Sequence, residues 1–295
     1  MIKATEILEN LATAVQQYNT LQPIEIIALR KTARGTFSDI SQSYGGGKTP
    51  TLLTGQDSSA KLSHNGADYW QAVQYLLPAN QSGIVNVCPW STAGCRALCL
   101  STSGRLGFDA GQTAMHVRVV FLATDSLQYL AQLLQEVARH ARKAAKKGAT
   151  FVLRLNGTSD LLWDSVAGLQ DLIRETAAAA GQSHMYFQDY SKRPATLAAA
   201  ANSNDWHITL SATERHKTAA DFLAGMAVVV DIDRKQPLPA TFAGRTVIDG
   251  DNTHGDLRIL DSQHDAAAVV LLRAKGKARK AAAGRDKFVK AAVDF

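Results

Sequence analysis

No stretch of this chain approaches the roughly 18 consecutive apolar residues that a membrane-spanning helix requires, so no spanning segment is expected and no membrane partner with it. The N-terminus, Met1-Ile2-Lys3-Ala4-Thr5-Glu6, lacks the apolar stretch and cleavage site of a signal peptide and carries acids at Glu6 and Glu9. Secretion, and the disulfide framework that accompanies it, is not expected. The eight histidines form no His-x-x-x-His pair, Gly-x-Ser-x-Gly is absent, and no nucleophile triad is credible. No RNP-type aromatic motif accompanies the basic segments. Cysteine is scarce too, but its three copies are not scattered: Cys88, Cys95 and Cys99 fall within twelve residues, and an odd number cannot all pair with one another.

What is present is ordinary in bulk. Apolar residues make up 46% and charged residues 20% of 295 positions, which excludes a disordered or fibrous chain and provides for a sizeable core. Thirty-two Lys and Arg against 26 Asp and Glu leave +6, which permits an anionic partner without demanding one. Much of the excess sits between Lys275 and Lys290. A basic C-terminal tail is therefore expected over 278–295.

The first 80 residues read as an extension of helix and loop. Ile7, Leu8, Leu11, Ala14, Val15 and Tyr18 have helical spacing. Gly45-Gly46-Gly47-Lys48-Thr49-Pro50 resembles part of a phosphate loop, but it lacks the upstream glycine, and Pro50 blocks a following helix, so it is read as a loop. From 81 to 277 short apolar runs alternate with helical stretches. The runs are Ile84–Cys88, Thr150–Asn156, His184–Tyr190, His207–Ala212, Met226–Asp231 and Ala267–Ala274, with an extra element at Thr246–Asp249 near the last strand. Helices are expected over Ala114–Lys147 in two pieces, Trp163–Ala180, Pro194–Ala201 and His216–Ala224, with Gly148 and Gly181 as stops. The pattern is α/β, a partial six-stranded (β/α) TIM-like barrel, with a doubly wound sheet as the other arrangement. In either, reactive groups gather past the C-terminal ends of the strands, where this sequence turns polar.

The loop Cys88-Pro-Trp-Ser-Thr-Ala-Gly-Cys95-Arg-Ala-Leu-Cys99 is the first of those ends. Three neighbouring thiolates suit an iron–sulfur cluster, or zinc if His116 supplies a fourth ligand; three ordinary buried thiols are the remaining reading. With a four-iron cluster, three cysteines leave one iron open to a substrate or cofactor.

Two resemblances follow from these residues. A three-cysteine loop on a partial barrel resembles the radical S-adenosylmethionine enzymes, in which three cysteines hold a [4Fe-4S] cluster and the open iron chelates the methionine amino and carboxylate groups. The spacing departs from theirs, with six and three intervening residues here in place of three and two. A closer similarity is to bacteriophage proteins of the gene-product-88-like type. It is carried by Cys88-Pro-Trp, Gly94-Cys95, Cys99-Leu100, Arg154-Leu-Asn-Gly-Thr-Ser-Asp160 with Trp163, Tyr190-Ser191-Lys192 and Trp206-His-Ile-Thr-Leu-Ser211 with Glu214. Val247-Ile-Asp-Gly-Asp251, Asp256-Leu-Arg258-Ile-Leu-Asp261 and Leu272-Arg-Ala-Lys-Gly-Lys277 continue it. This resemblance implies a phage or prophage origin and work in a bacterial cytoplasm.

The remaining candidates lie past the other strands. Asn156, Ser159 and Asp160 could accept hydrogen bonds from a cofactor amine, or Ser159 and Asp160 could cap the next helix. Ser211 is placed with them as a cofactor contact. Tyr190 and Lys192 could supply a proton donor and a point charge, or Lys192 and Arg193 could be a solvated pair. Glu214 could bind a ribose or act as a base, or begin a helix. Asp249 and Asp251, with Asp256, Arg258 and Asp261, form the densest charge cluster; a salt-bridge network through Arg258 is the reading preferred over a magnesium or calcium site. The leading expectation is a metalloenzyme with an open-site cluster, S-adenosylmethionine as its candidate cofactor and a nucleotide or nucleic acid as its substrate. The competing one is a non-catalytic protein, with zinc or no metal, that binds nucleic acid or a host protein.

Overall fold

The computed structural model describes residues 1–59, 62, 68–202, 206–233, 235–251, 268–280 and 288–291. It is a mixed α/β structure with two mixed sheets, one of them a half-barrel. The larger sheet has the order β1 (Leu53–Gly55), β2 (Tyr69–Gln74), β3 (Thr150–Arg154), β4 (Met185–Ser191) and β5 (Trp206–Leu210); β1 is antiparallel and the other four are parallel. The smaller sheet takes β6 (Ala227–Val230), β7 (Thr241–Phe242), β8 (Arg245–Asp249) and β9 (Val269–Arg273) in the order β6-β9-β8-β7. The last strand therefore lies between β6 and β8, where sequential barrel order would place it outside. The strand order shows one half-barrel and does not establish a TIM barrel.

The helices α1 (Ala4–Thr20), α2 (Pro23–Ser43), α4 (Asp109–Thr124), α5 (Ser126–Lys146) and α6 (Leu169–Ala179) share one core with the larger sheet. A short helix, α3 (Ala93–Ala97), carries Cys95, and α7 (Ala195–Asn202) joins β4 to β5. α5 is central: Leu130, Leu133, Leu134, Val137 and Ala141 recur at helical spacing and are fully buried. Asp125 caps its first turn, accepting from the Gln128 amide at 2.9 Å. Phe37 of α2 stacks on Phe121 of α4 at 4.7 Å, and Phe222 meets Phe242 edge-on in a separate core under the smaller sheet.

Several expectations need correction. Ile84–Cys88 is an extended segment tied by a single bridge, Ile2 to Val85; the strand that neighbours β3 is β2, whose Gln71 and Gln74 interrupt its apolar pattern. Both glutamines are buried and bonded to distant parts of the chain, Gln71 donating to Gln188 at 3.1 Å and the Gln74 amide nitrogen reaching Tyr129, while Gln74 Oε1 has no partner among the described residues. The first 80 residues thus supply two strands of the larger sheet and two helices on α5, rather than only helix and loop. His216–Ala224 forms one 3₁₀ turn, Ala219–Asp221, opened by a capping box in which the Asp221 carboxylate takes the Lys217 and Thr218 amides. Helix α6 begins only at Leu169, after Gly168 at φ +73°.

The two sheets meet at one point. Ser211 bridges Ala227, and the Ala212 amide donates to Ala227 O at 2.8 Å. Farther along the same edge of β6 the partner changes. Lys290 N donates to Val229 O at 2.9 Å and Asp231 N to Lys290 O at 3.0 Å, so residues 288–290 occupy the edge that β5 has left. Phe288, Val289 and Lys290 are buried there, so this part of the expected basic tail is not a solvated one.

β1 is held by a buried carboxylate. Glu136 of α5 accepts the Leu52 and Leu53 amides at 2.9 and 2.8 Å and the Gln132 side chain at 2.8 Å. Arg118 of α4 donates to Thr51 O at 2.7 Å and Tyr75 O at 3.0 Å on either side. Glu136→Gln turns an amide N–H toward one of those backbone donors. It is expected to cost about 1–3 kcal/mol in urea unfolding, with the m-value unchanged.

Candidate functional site

Past the C-terminal ends of β3, β4, β5 and β9 lies a cavity of about 210 Å³. Cys88, Cys95 and Cys99 form one wall. Arg154, Asn156, Ser159, Asp160, Tyr190, Lys192 and Ser211 stand around it, and Arg273, Lys275 and Phe288 complete it. The structure therefore brings together nine of the residues singled out from sequence and leaves three outside the lining. Glu214, Asp249 and Asp251 sit one layer back. Arg258, with Asp256 and Asp261, lies outside the described residues.

The cysteines are set by local chemistry. Cys88 Sγ accepts the Ala79 amide at 3.2 Å and lies 3.5 Å from Thr158 O, and burial pushes its thiol up to about 12. Ala79 is one of two described non-glycine residues at positive φ, +53°, and its conformation aims that amide. Cys95 lies on α3 and Cys99 just beyond it, one helical turn apart, so both can face the cavity. Burial also raises Cys95, with Lys192 acting against it. All three are free thiols. Among the described residues no group of three or more His, Cys, Asp or Glu side chains is placed to hold a metal ion. His116, the fourth ligand expected for zinc, is instead edge-on to Tyr44 at 4.8 Å in a separate hollow with Leu77 and Gln112.

Glu214 is spent on α3. It accepts Thr92 Oγ1 at 2.6 Å and the Gly94 amide at 3.1 Å, while Thr92 Oγ1 accepts the Cys95 amide at 3.2 Å. Burial works upward on its carboxyl, but those hydrogen bonds outweigh it and hold the group below its ordinary range. It is a fastener for the cysteine helix rather than a base in the cavity.

Asn156 and Asp189 knit the strand ends. Asn156 Oδ1 accepts from Ser159 Oγ at 2.8 Å, Leu161 N at 3.0 Å and Trp163 Nε1 at 3.2 Å, and its amide group donates to Leu161 O at 2.9 Å. The hydrogen-bonding capacity of Asn156 and the Ser159 hydroxyl is thus directed into the scaffold, and neither caps a helix. β3 ends at Arg154, so the two-residue alternation does not carry on: Arg154 lies over the Tyr190 ring at 4.6 Å while Asn156 turns to Asp189. Asp189 is fully buried, accepts Asn156 N at 2.7 Å and Trp206 Nε1 at 3.0 Å, and burial pushes it up to about 7. Asp160 accepts Ser191 Oγ at 2.5 Å and the Lys192 amide at 2.9 Å; burial raises it against those bonds. Arg193, expected in a solvated pair, is buried and bound to Asp164 at 2.7 Å.

Asp249 and Asp251 anchor β9 with partners other than Arg258. Arg273 Nη1 reaches Asp249 at 3.0 Å, the Arg273 amide donates to Asp251 at 2.7 Å, and Lys275 Nζ pairs with Asp251. Arg273 and Phe288 were not among the sequence candidates. The signal for Arg273 is a cation ending an apolar strand; Phe288 has only its isolation as an aromatic among lysines.

The fold and cavity define an α/β protein with a three-thiol site at the ends of parallel strands. Residues 48–290 match the family model described as Gene product 88, and the chain belongs to that family. No curated protein and no solved structure matches it. Among the described residues no helix is long and apolar enough to cross a membrane.

Two expectations follow. A Cβ on Gly94 would stand 2.9 Å from Glu214 Oε2 and 3.0 Å from Phe288 Cβ. Gly94→Ala should therefore dislodge α3 and speed thiol labelling at Cys95 severalfold, with near-native circular dichroism. Asp189 binds its proton more tightly folded than unfolded, so its contribution is fully present below about pH 4 and is lost as pH rises to about 7. Urea titrations should show the stability of the native chain relative to Asp189→Asn falling across that window and flat above it.

Proposed function

We propose that this chain is an iron–sulfur enzyme of phage type, with Cys88, Cys95 and Cys99 holding a four-iron cluster whose remaining iron is open to a cofactor or substrate. One observation carries the reading: Cys88, Cys95 and Cys99, three free thiols, wall one cavity at the ends of parallel strands. The donor set fits in one further respect: the Ala79 amide already donates to Cys88 Sγ, a contact that a metal-bound thiolate would keep.

The cluster would supply one-electron transfer at an iron that can also bind an amino-carboxylate, as S-adenosylmethionine offers. The chain's own residues divide the remaining work. Asp160, the one carboxylate in the lining among the described residues, would take the amine contact, with Ser211 beside it. Tyr190 and Lys192 would present a hydroxyl proton and a fixed charge to the substrate. Glu214, Asp249 and Asp251 are positioning residues. The larger sheet would stand for part of a (β/α) barrel, with 288–290 closing the side where the sheets part. Work in a bacterial cytoplasm fits the reduced thiols that such a cluster needs.

Anaerobic purification followed by iron, sulfide and zinc analysis tests this. The expected result is about four irons and four sulfides per chain with a broad visible absorption band, all lost in Cys95→Ala. One zinc per chain without iron, or no metal after reconstitution with iron and sulfide, overturns it.

A further inference from the structure

Among the described residues four cations line the cavity, Arg154, Lys192, Arg273 and Lys275, against a single acid, Asp160. Arg273 closes β9, Lys275 follows two residues later, and both reach the cavity. Each is braced from outside the lining. Asp249 holds Arg273 Nη1 at 3.0 Å, and Asp251 holds Lys275 Nζ. The bracing leaves Arg273 Nε buried and without a hydrogen-bond partner among the described residues. Lys192 Nζ is fixed from another direction, 5.9 Å over the Phe288 ring. Cations pre-oriented by acids behind them and turned to an enclosed space are suited to a phosphate, which brings about two negative charges and several acceptor oxygens. Three thiolates do not by themselves require such a set.

Much of the remaining wall is apolar: Leu98, Leu100, Val229, Leu272, Ala278 and Phe288 offer no hydrogen-bonding side chain, while Ser91, Tyr190 and Ser211 add hydroxyls, which suits a body that joins a flat, weakly polar face to a few hydroxyl groups. We propose that the cavity binds a nucleoside 5′-monophosphate, its phosphate on Lys192, Arg273 and Lys275 and its base against the apolar wall beside Phe288. The inference names the substrate class of the site proposed above and rests on that reading for its catalytic meaning, while its binding readout needs no metal.

The test is calorimetric titration of the full chain, metal-free and iron-loaded, with the four ribonucleoside 5′-monophosphates, the corresponding nucleosides and inorganic phosphate. At least one monophosphate should bind at one per chain and about tenfold or more tighter than its nucleoside and than phosphate alone. Lys275→Met and Lys192→Gln should each weaken it about tenfold with unfolding midpoints close to native; Lys192 takes no part in an acid pair, so its variant serves if removal of Lys275 unsettles Asp251. Equal binding of nucleotide and nucleoside, phosphate binding as well as any nucleotide, binding of polynucleotide but no monophosphate, or native affinity in both variants overturns the proposal. Nucleotide binding in a chain that takes up no iron removes the cluster reading and leaves this one; iron uptake without nucleotide binding does the reverse.

Discussion

The site depends on the buried contact between Asn156 and Asp189. Four parallel strands end side by side in an apolar setting, and their last backbone groups and loop donors must be satisfied without water. The Asp189 carboxylate takes the Asn156 amide and the Trp206 indole, and the Asn156 side chain organises Ser159, Leu161 and Trp163 in turn. Through these two residues β3, β4 and β5 are stitched where the cavity begins. Gly157 completes the arrangement, because a Cβ there would meet Gln74 O at 2.4 Å, so the loop can lie directly on the end of β2.

Around this node, acids and cations are sorted by depth. Glu214, Asp249, Asp251 and Asp164 lie behind the lining and are each bound to a backbone amide, a hydroxyl or a cation. Arg154, Lys192, Arg273 and Lys275 reach the cavity surface. Charges held by partners on one side lose little freedom when a ligand arrives on the other, which is how a small cavity gains affinity without much contact area. The same sorting explains why several carboxylates that look catalytic in sequence are structural in the fold.

The strands with long apolar runs were legible from sequence: β3, β6 and β9 fall within the expected runs, β4 and β5 overrun theirs by one residue each, Ser191 and Trp206, and β8 pairs with β9 as the extra element suggested. β2 was not, because Gln71 and Gln74 are buried polar residues whose partners, Gln188 and Tyr129, lie more than fifty residues away in the chain. The gathering of polar strand ends followed from the rule for parallel sheets. Which of those polar groups stay free for a ligand did not, since the hydrogen bonds that engage Asn156 and Ser159 form only on folding. For Asp249 and Asp251 the sequence suggests a network through nearby Arg258, which lies outside the described residues; pairing of β8 with β9 brings Arg273 and Lys275 to these acids.

The seat of residues 288–290 on β6 also sets an order of assembly. Every strand of both sheets has left the ribosome before Phe288 does, yet the cavity wall and the β6 edge are complete only once that segment has arrived. A nascent chain short of this point carries an open strand edge beside three reduced thiols, a combination prone to pairing with other chains and to oxidation. Sheltering of the thiols is therefore coupled to the docking of residues 288–290 on β6, so access to them closes when that segment seats.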